Sequence, residues 1–212
     1  MIFLKFKNII FQDFVMFFDL FGALVSLLST YYFIRLNNKA WVVGIIATLV
    51  NGWLYWQKGI YGDMALEIVY FSSMLYGLHK WRTVNSDYPS PDSLGNFSMK
   101  QWVGLTTVFT IIFLLIFYIL RTYTNSNVAL MDATTTTLSL MAQWLMCYKI
   151  IFTWIIWGVT DIFYASMYLG KNLPIHSALM LIYTIMAIIG YISWAKKYKK
   201  ISVLSTPLNA HV

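Results

Sequence analysis

Hydrophobic residues run along this chain in long blocks rather than in alternation with polar ones. Seven blocks approach the length of a membrane-crossing helix: residues 19–36, 40–57, 62–80, 101–121, 132–149, 152–170 and 174–195. A hydrocarbon layer about 30 Å thick is crossed by roughly 20 helical residues, so the pattern predicts seven transmembrane helices, with tilt open to the shorter ones. Unbroken apolar runs point to helices and away from a barrel, whose strands alternate. Ahead of the first block, "MIFLKFKNIIFQDFVMFF" mixes Lys5, Lys7 and Asp13 with bulky apolar residues and offers no small-residue cleavage site. It reads as an uncleaved interfacial helix over 1–18. The one long polar stretch, "RTVNSDYPSPDSLGNFSMK" at 82–100, carries Pro89, Pro91 and Gly95 and reads as an irregular hinge.

Composition turns this pattern into a class. Of 212 residues, 59% are hydrophobic and 11% charged, far from the usual quarter, so the chain is expected to be an all-α integral membrane protein in contact with a lipid bilayer. The net charge of +7 does not require a nucleic-acid partner, because the basic residues lie in short loops and near the C-terminus. With seven spans, one side receives Arg35, Lys39, Lys80, Arg82, Lys100, Lys149, Lys196, Lys197, Lys199 and Lys200, and the other Lys5, Lys7, Lys58, Arg121 and Lys171. That imbalance predicts an external N-terminus and a cytoplasmic C-terminus. Cys147, alone in an apolar segment, forms no internal disulfide and leaves the redox compartment unread.

The halves of the chain repeat each other. Residues 19–81 shifted by 113 fall on 132–194 without a gap, pairing Asp19 with Asp132, Ser26 with Ser139, Trp41 with Trp154, Tyr55 with Tyr168, Lys58 with Lys171, Tyr70 with Tyr183, Gly77 with Gly190 and Trp81 with Trp194. The expected layout is an interfacial segment at 1–18, a three-helix repeat at 19–81, a loop and linker helix at 82–131, a second three-helix repeat at 132–195, and a basic cytoplasmic tail at 196–212. Four crossings separate equivalent points, so the repeats are expected to share one orientation about an axis along the membrane normal. Parallel repeats are a transporter architecture with the site near the midplane between them.

Candidate chemistry concentrates in the sixth span, "TWIIWGVTDIFYASMYLG". There Trp154, Trp157, Asp161, Tyr164 and Tyr168 recur every three or four residues and share one helical face. A carboxylate in hydrocarbon is by default a functional candidate, and aromatic planes beside it would stack on a flat ring and favour a cation. The plainer alternative is a packing stripe with Asp161 paired or protonated. Glu67 forms a similar stripe with Tyr70 and Met74 nearer the external end, where a solvated or lipid-headgroup role is a near-equal alternative. Gln143, on a face with Ser139, and Asn51 would bond either a ligand or a neighbouring helix, Asn51 leaning to the helix. Asp19 and Asp132 are expected to cap their helices, and the threonines of "DATTTT" to bond back to the backbone. Trp154, Trp157, Asp161 and Glu67 correspond by the repeat to Trp41, Gly44, Thr48 and Met180, so the polar equipment is one-sided.

These residues resemble the PnuC vitamin transporters, relatives of the SWEET sugar carriers. The likeness rests on "TWIIWGVTDIF", close to that family's WxxW motif, on "MDATTTTLSLMAQWL", and on the paired ends "YGLHKW" and "IGYISW", over roughly 19–195. It implies seven helices in a three-one-three arrangement in the bacterial inner membrane, facilitated diffusion of nicotinamide riboside for NAD biosynthesis, and trapping by a cytosolic vitamin kinase. Two acids favour a cation over neutral riboflavin and leave thiamine as the alternative; a homo-oligomer stays open. No enzyme, cofactor or metal is expected. A GxxxxGK[ST] loop is absent, His79, His176 and His211 are scattered without HExxH, and the seventh span holds no lysine for a retinal Schiff base. A non-transporting receptor or assembly subunit is the rival from another class.

Overall fold

The computed structural model describes residues 2–57, 61–83, 98–123, 128–170 and 174–205, with side chains over 16–57, 64–83, 98–123, 128–170 and 176–200. Seven helices account for almost all of them: α1 Ile2–Ile34, α2 Lys39–Gln57, α3 Tyr61–Thr83, α4 Met99–Tyr123, α5 Ala129–Cys147, α6 Thr153–Gly170 and α7 Pro174–Ser205. No strand occurs among the described residues. Among the described residues three helical stretches are long and apolar enough to cross a membrane, Met16–Ile34 of α1, Met99–Tyr123 (α4) and His176–Lys200 of α7, and the 18- and 19-residue helices α2, α5 and α6 are about 27 to 29 Å long at 1.5 Å per residue. Large apolar side chains stand outward, such as Leu20, Leu24 and Leu28 on α1 and Ile111, Leu114 and Leu115 on α4. On a multi-pass membrane protein such a surface meets lipid.

Three boundaries differ from the sequence reading. No break separates an interfacial segment from the first span, since α1 is one helix of 33 residues through position 18. At the other end α7 runs ten residues past 195, because "AKKYKKISVLS" contains good helix formers and no breaker before Pro207. The expected caps also fail. Asp19 lies inside α1, and α5 begins at Ala129 behind an N-cap Val128 that makes no side-chain cap bond, leaving Asp132 in the first turn. The polar stretch 82–100 falls largely outside the described residues, as do Lys58, Lys171 and the tail beyond Ser205.

The chain forms two compact units, Met1–Val84 and Asn85–Val212. In the first, α2 packs on both α1 and α3; in the second, α6 packs on both α5 and α7, and the linker helix α4 lies against α5. Trp102, Leu105 and Phe109 of α4 meet a core of Met141, Ala142, Leu145, Ile150 and Ile156.

The repeat is carried by local detail. After α1, Leu36 takes a left-handed φ of 57° while its N–H and that of Asn37 donate to the carbonyls of Phe33 and Tyr32. After α5, Lys149 takes a φ of 56° while its N–H and that of Ile150 donate to Met146 and Leu145. Both turns are Schellman closures, which satisfy the orphan carbonyls of a helix end, and they match residue for residue under the shift of 113. Next, the Ser29 hydroxyl donates to the carbonyl of Ala40 at 2.9 Å, and the Thr153 hydroxyl donates to that of Ala142 at 2.6 Å. The same two positions are tied in both units with donor and acceptor exchanged.

One residue beyond each tie stands a buried tryptophan. Trp41 meets Trp81 edge to face at 5.2 Å and 83°, and Trp154 meets Trp194 at 5.5 Å and 89°. Each ring lies directly on a glycine, Gly77 under Trp41 and Gly190 under Trp154, where an added Cβ would collide with the indole. Overpacking of this kind costs about 1–3 kcal/mol. Gly77→Ala and Gly190→Ala are therefore expected to lower thermal stability in detergent by that amount. Gly104→Ala, with open space around it, should be neutral or gain up to about 1 kcal/mol of helix propensity. Equal behaviour of the three variants would refute the packing account.

Candidate functional site

The rotational setting of α6 follows from two adjacent residues. Thr153 is bonded to α5 and Trp154 is packed on α7, and successive residues of a helix turn by about 100°. Positions 157, 161, 164 and 168 then fall in the arc between those two directions. Trp157, Asp161, Tyr164 and Tyr168 accordingly share an inward wedge between α5 and α7. Ile155, Val159, Ile162, Phe163 and Leu169 are exposed on the opposite side.

Within the wedge the side chains are not alike. Trp157, Tyr164 and Tyr168 are half-buried, and the two tyrosine rings stack at 6.0 Å and 16°. Asp161 is only 7% exposed, and among the described residues no hydrogen bond or ion pair reaches its carboxylate. A buried acid is ordinarily paired. Gln143, on α5, is buried.

Trp154 separates from the stripe that the sequence drew. It is 2% exposed and held between Gly190 and Trp194, with Trp41 doing the same in the unit that has no acid at the equivalent of Asp161. The sequence had placed both tryptophans of WxxW on one face. The 100° step between neighbours turns Trp154 to the α7 edge of that face and Trp157 into the wedge.

The remaining candidates sit in the first unit. The Asn51 amide donates to the Ser26 hydroxyl at 3.4 Å, which ties α2 to α1, while its oxygen crowds Gly22. Glu67 and Tyr70 are half-buried on α3, Glu67 facing Gly52 of α2. Met74 fills the space over Gly44, the position that Trp157 occupies in the second unit. The sequence reading missed the clamps Ser29–Ala40 and Thr153–Ala142; their signal is a hydroxyl residue at one of two repeat-related positions in each half.

A family profile described as "Nicotinamide mononucleotide transporter" matches residues 16–196. The chain belongs to the nicotinamide mononucleotide transporter family. It is thus a multi-pass membrane transporter and not an enzyme. The nicotinamide riboside transporter PnuC of Haemophilus influenzae is 25% identical over 189 residues, spanning 86% of this chain and 82% of that protein. A crystal structure of the vitamin B3 transporter PnuC superposes with a TM-score of 0.68 at 20% identity, covering 93% of this chain and 90% of that one, which confirms the fold. The family match spans both repeats and the linker helix α4.

Packing and wedge positions predict different mutant behaviour. Trp154→Ala and Trp41→Ala each empty a fully enclosed indole site and should cost about 3–5 kcal/mol in detergent unfolding. Trp157→Ala, at a half-buried position, should melt closer to the parent. A Trp154→Ala protein as stable as the parent would remove the packing role.

Proposed function

We propose that this transporter carries nicotinamide riboside into the cell, with Trp157, Asp161 and Tyr164 of α6 as principal binding residues and Gln143 of α5 beside them. The observation that carries this reading is the Asp161 carboxylate, buried and without a partner among the described residues, next to half-buried aromatic rings. A pyridinium nucleoside supplies a flat cation for the rings and a positive charge for the acid. The family description and the Haemophilus influenzae relative both name nicotinamide compounds, which favours the riboside over thiamine.

The acid also bears on the choice between riboside and mononucleotide. A nucleotide brings a phosphate of charge near −1.5 to −2, whose desolvation and repulsion by Asp161 oppose entry. The uncharged sugar of the riboside meets neither cost. Asn51 of the first unit is given chiefly to its bond with Ser26. Trp154 serves it indirectly, by fixing the rotation of α6.

Transport is by facilitated diffusion across the bacterial inner membrane, with the C-terminal lysines on the cytoplasmic side. Phosphorylation by a cytosolic kinase would trap the riboside and keep the gradient inward. The alternative of a non-transporting receptor predicts binding without flux. Labelled nicotinamide riboside accumulating in liposomes that hold the purified protein supports the transporter, and binding without entry supports the receptor.

Asp161→Asn preserves shape and removes charge. Affinity for nicotinamide riboside should fall, and that for a neutral isostere of the same shape should fall less. Because a monovalent cation gains about 2.3 kcal/mol per 100 mV on moving fully to the negative side, uptake should rise with an inside-negative potential when no sodium or proton gradient is present. Equal losses for both ligands, or flux indifferent to potential, would discard charge recognition at Asp161.

A further inference from the structure

We propose that Ser139 of α5 is a ligand-binding residue whose hydroxyl, together with the Asp161 carboxylate, receives the sugar hydroxyls of a nucleoside. This rests on the reading of α6 as the ligand-bearing helix and assigns the ribosyl part of that ligand to named residues.

The two repeats supply the geometry. In the first unit the residues at 26 and 51 meet across the α1–α2 seam, the amide of Asn51 donating to the hydroxyl of Ser26 at 3.4 Å with Gly22 beneath it. The shift of 113 carries Ser26 to Ser139, Asn51 to Tyr164 and Gly22 to Thr135. Matching turns, clamps and tryptophan seats show that the two backbones correspond. Ser139 and Tyr164 therefore start from facing positions across the α5–α6 seam.

Chemistry then diverges. The Tyr164 ring stacks along its own helix on Tyr168, and no amide replaces that of Asn51. Ser139 is 1% exposed, and among the described residues its hydroxyl has no hydrogen-bond partner. It does not bond back to its own helix either, as Thr134 does to Leu130 at 2.7 Å and Thr135 to Met131 at 2.9 Å. Asp161 lies three residues before Tyr164, a rise of about 4.5 Å along the same face of α6, and is likewise unpartnered.

A hydroxyl with one donor and two acceptor sites, near an acceptor-only carboxylate, complements a vicinal diol. One sugar hydroxyl donates to Asp161, the other exchanges a bond with Ser139, and the base is left to the aromatic rings. In the first unit Ser26 is already occupied by Asn51 and Thr48, the counterpart of Asp161, is spent on the carbonyl of Ile45 at 2.9 Å. The diol site exists on one side only.

The test pairs a variant with ligands that lack one sugar hydroxyl. Binding to the detergent-purified full chain is measured for nicotinamide riboside and its 2′-deoxy and 3′-deoxy analogues, in the parent protein and in Ser139→Ala. The parent should lose about 2- to 13-fold in affinity for at least one deoxy analogue, the factor of one net hydrogen bond. Ser139→Ala should bind one of the two analogues and the riboside equally, and keep its discrimination against the other, whose missing hydroxyl is the one given to Asp161. Ratios unchanged for both analogues in Ser139→Ala, or a parent indifferent to both deletions, overturn the assignment while the riboside reading stands. A parent that fails to bind nicotinamide riboside at all overturns both.

Discussion

In a membrane, helices gain little by burying apolar surface from a solvent that is itself apolar, so close van der Waals packing and a few polar ties must hold them. This chain meets that constraint twice with one device. A left-handed residue closes the first helix of each repeat, and a hydroxyl then ties that helix to the start of the next. Directly afterwards an indole settles onto a glycine and against a second indole. The glycine is required because the ring lies where any Cβ would stand. Once Trp154 is seated on α7 and Thr153 is bonded to α5, α6 has no freedom to rotate, and the side chains two and three turns further along are aimed.

On this shared frame the two units differ at the positions that face the wedge. Position 48 is a threonine bonded within its own helix, and its counterpart at 161 is an unpartnered aspartate. Position 44 is a glycine covered by Met74, and its counterpart at 157 is a half-buried tryptophan. Position 51 is an amide closing a helix seam, and its counterpart at 164 is a tyrosine stacked on Tyr168. Packing positions are kept in both copies, while the wedge-facing ones have diverged. Duplication thus separates residues that hold the fold from residues that are free to diverge.

That separation explains what could be read from the chain. Helices of apolar blocks, their number and the 113-residue repeat were legible because they depend on composition and spacing, which bilayer thickness makes nearly deterministic. The face shared by Trp157, Asp161 and Tyr164 was legible too, since helical periodicity alone places them together. Helix ends were less so: α1 runs through the expected boundary at 18, α7 extends to Ser205, and Asp132 gives no cap, because polar residues near an interface neither force nor forbid continuation of a helix.

By itself the sequence determined an all-α membrane protein with a repeated pattern, its Trp, Asp and Tyr stripe lying in the second half and Glu67 in the first. Only the tertiary structure decided which tryptophan is fully enclosed and which is half-buried. Trp154 and Trp157 are equivalent in the motif and differ by where a neighbouring helix stands, one resting on Gly190 and the other turned between α5 and α7. Whether Asp161 and Ser139 had partners was likewise undecided along the chain, since a hydrogen bond depends on distances between helices. Periodicity fixes a direction from one helix axis; what waits in that direction is set by packing.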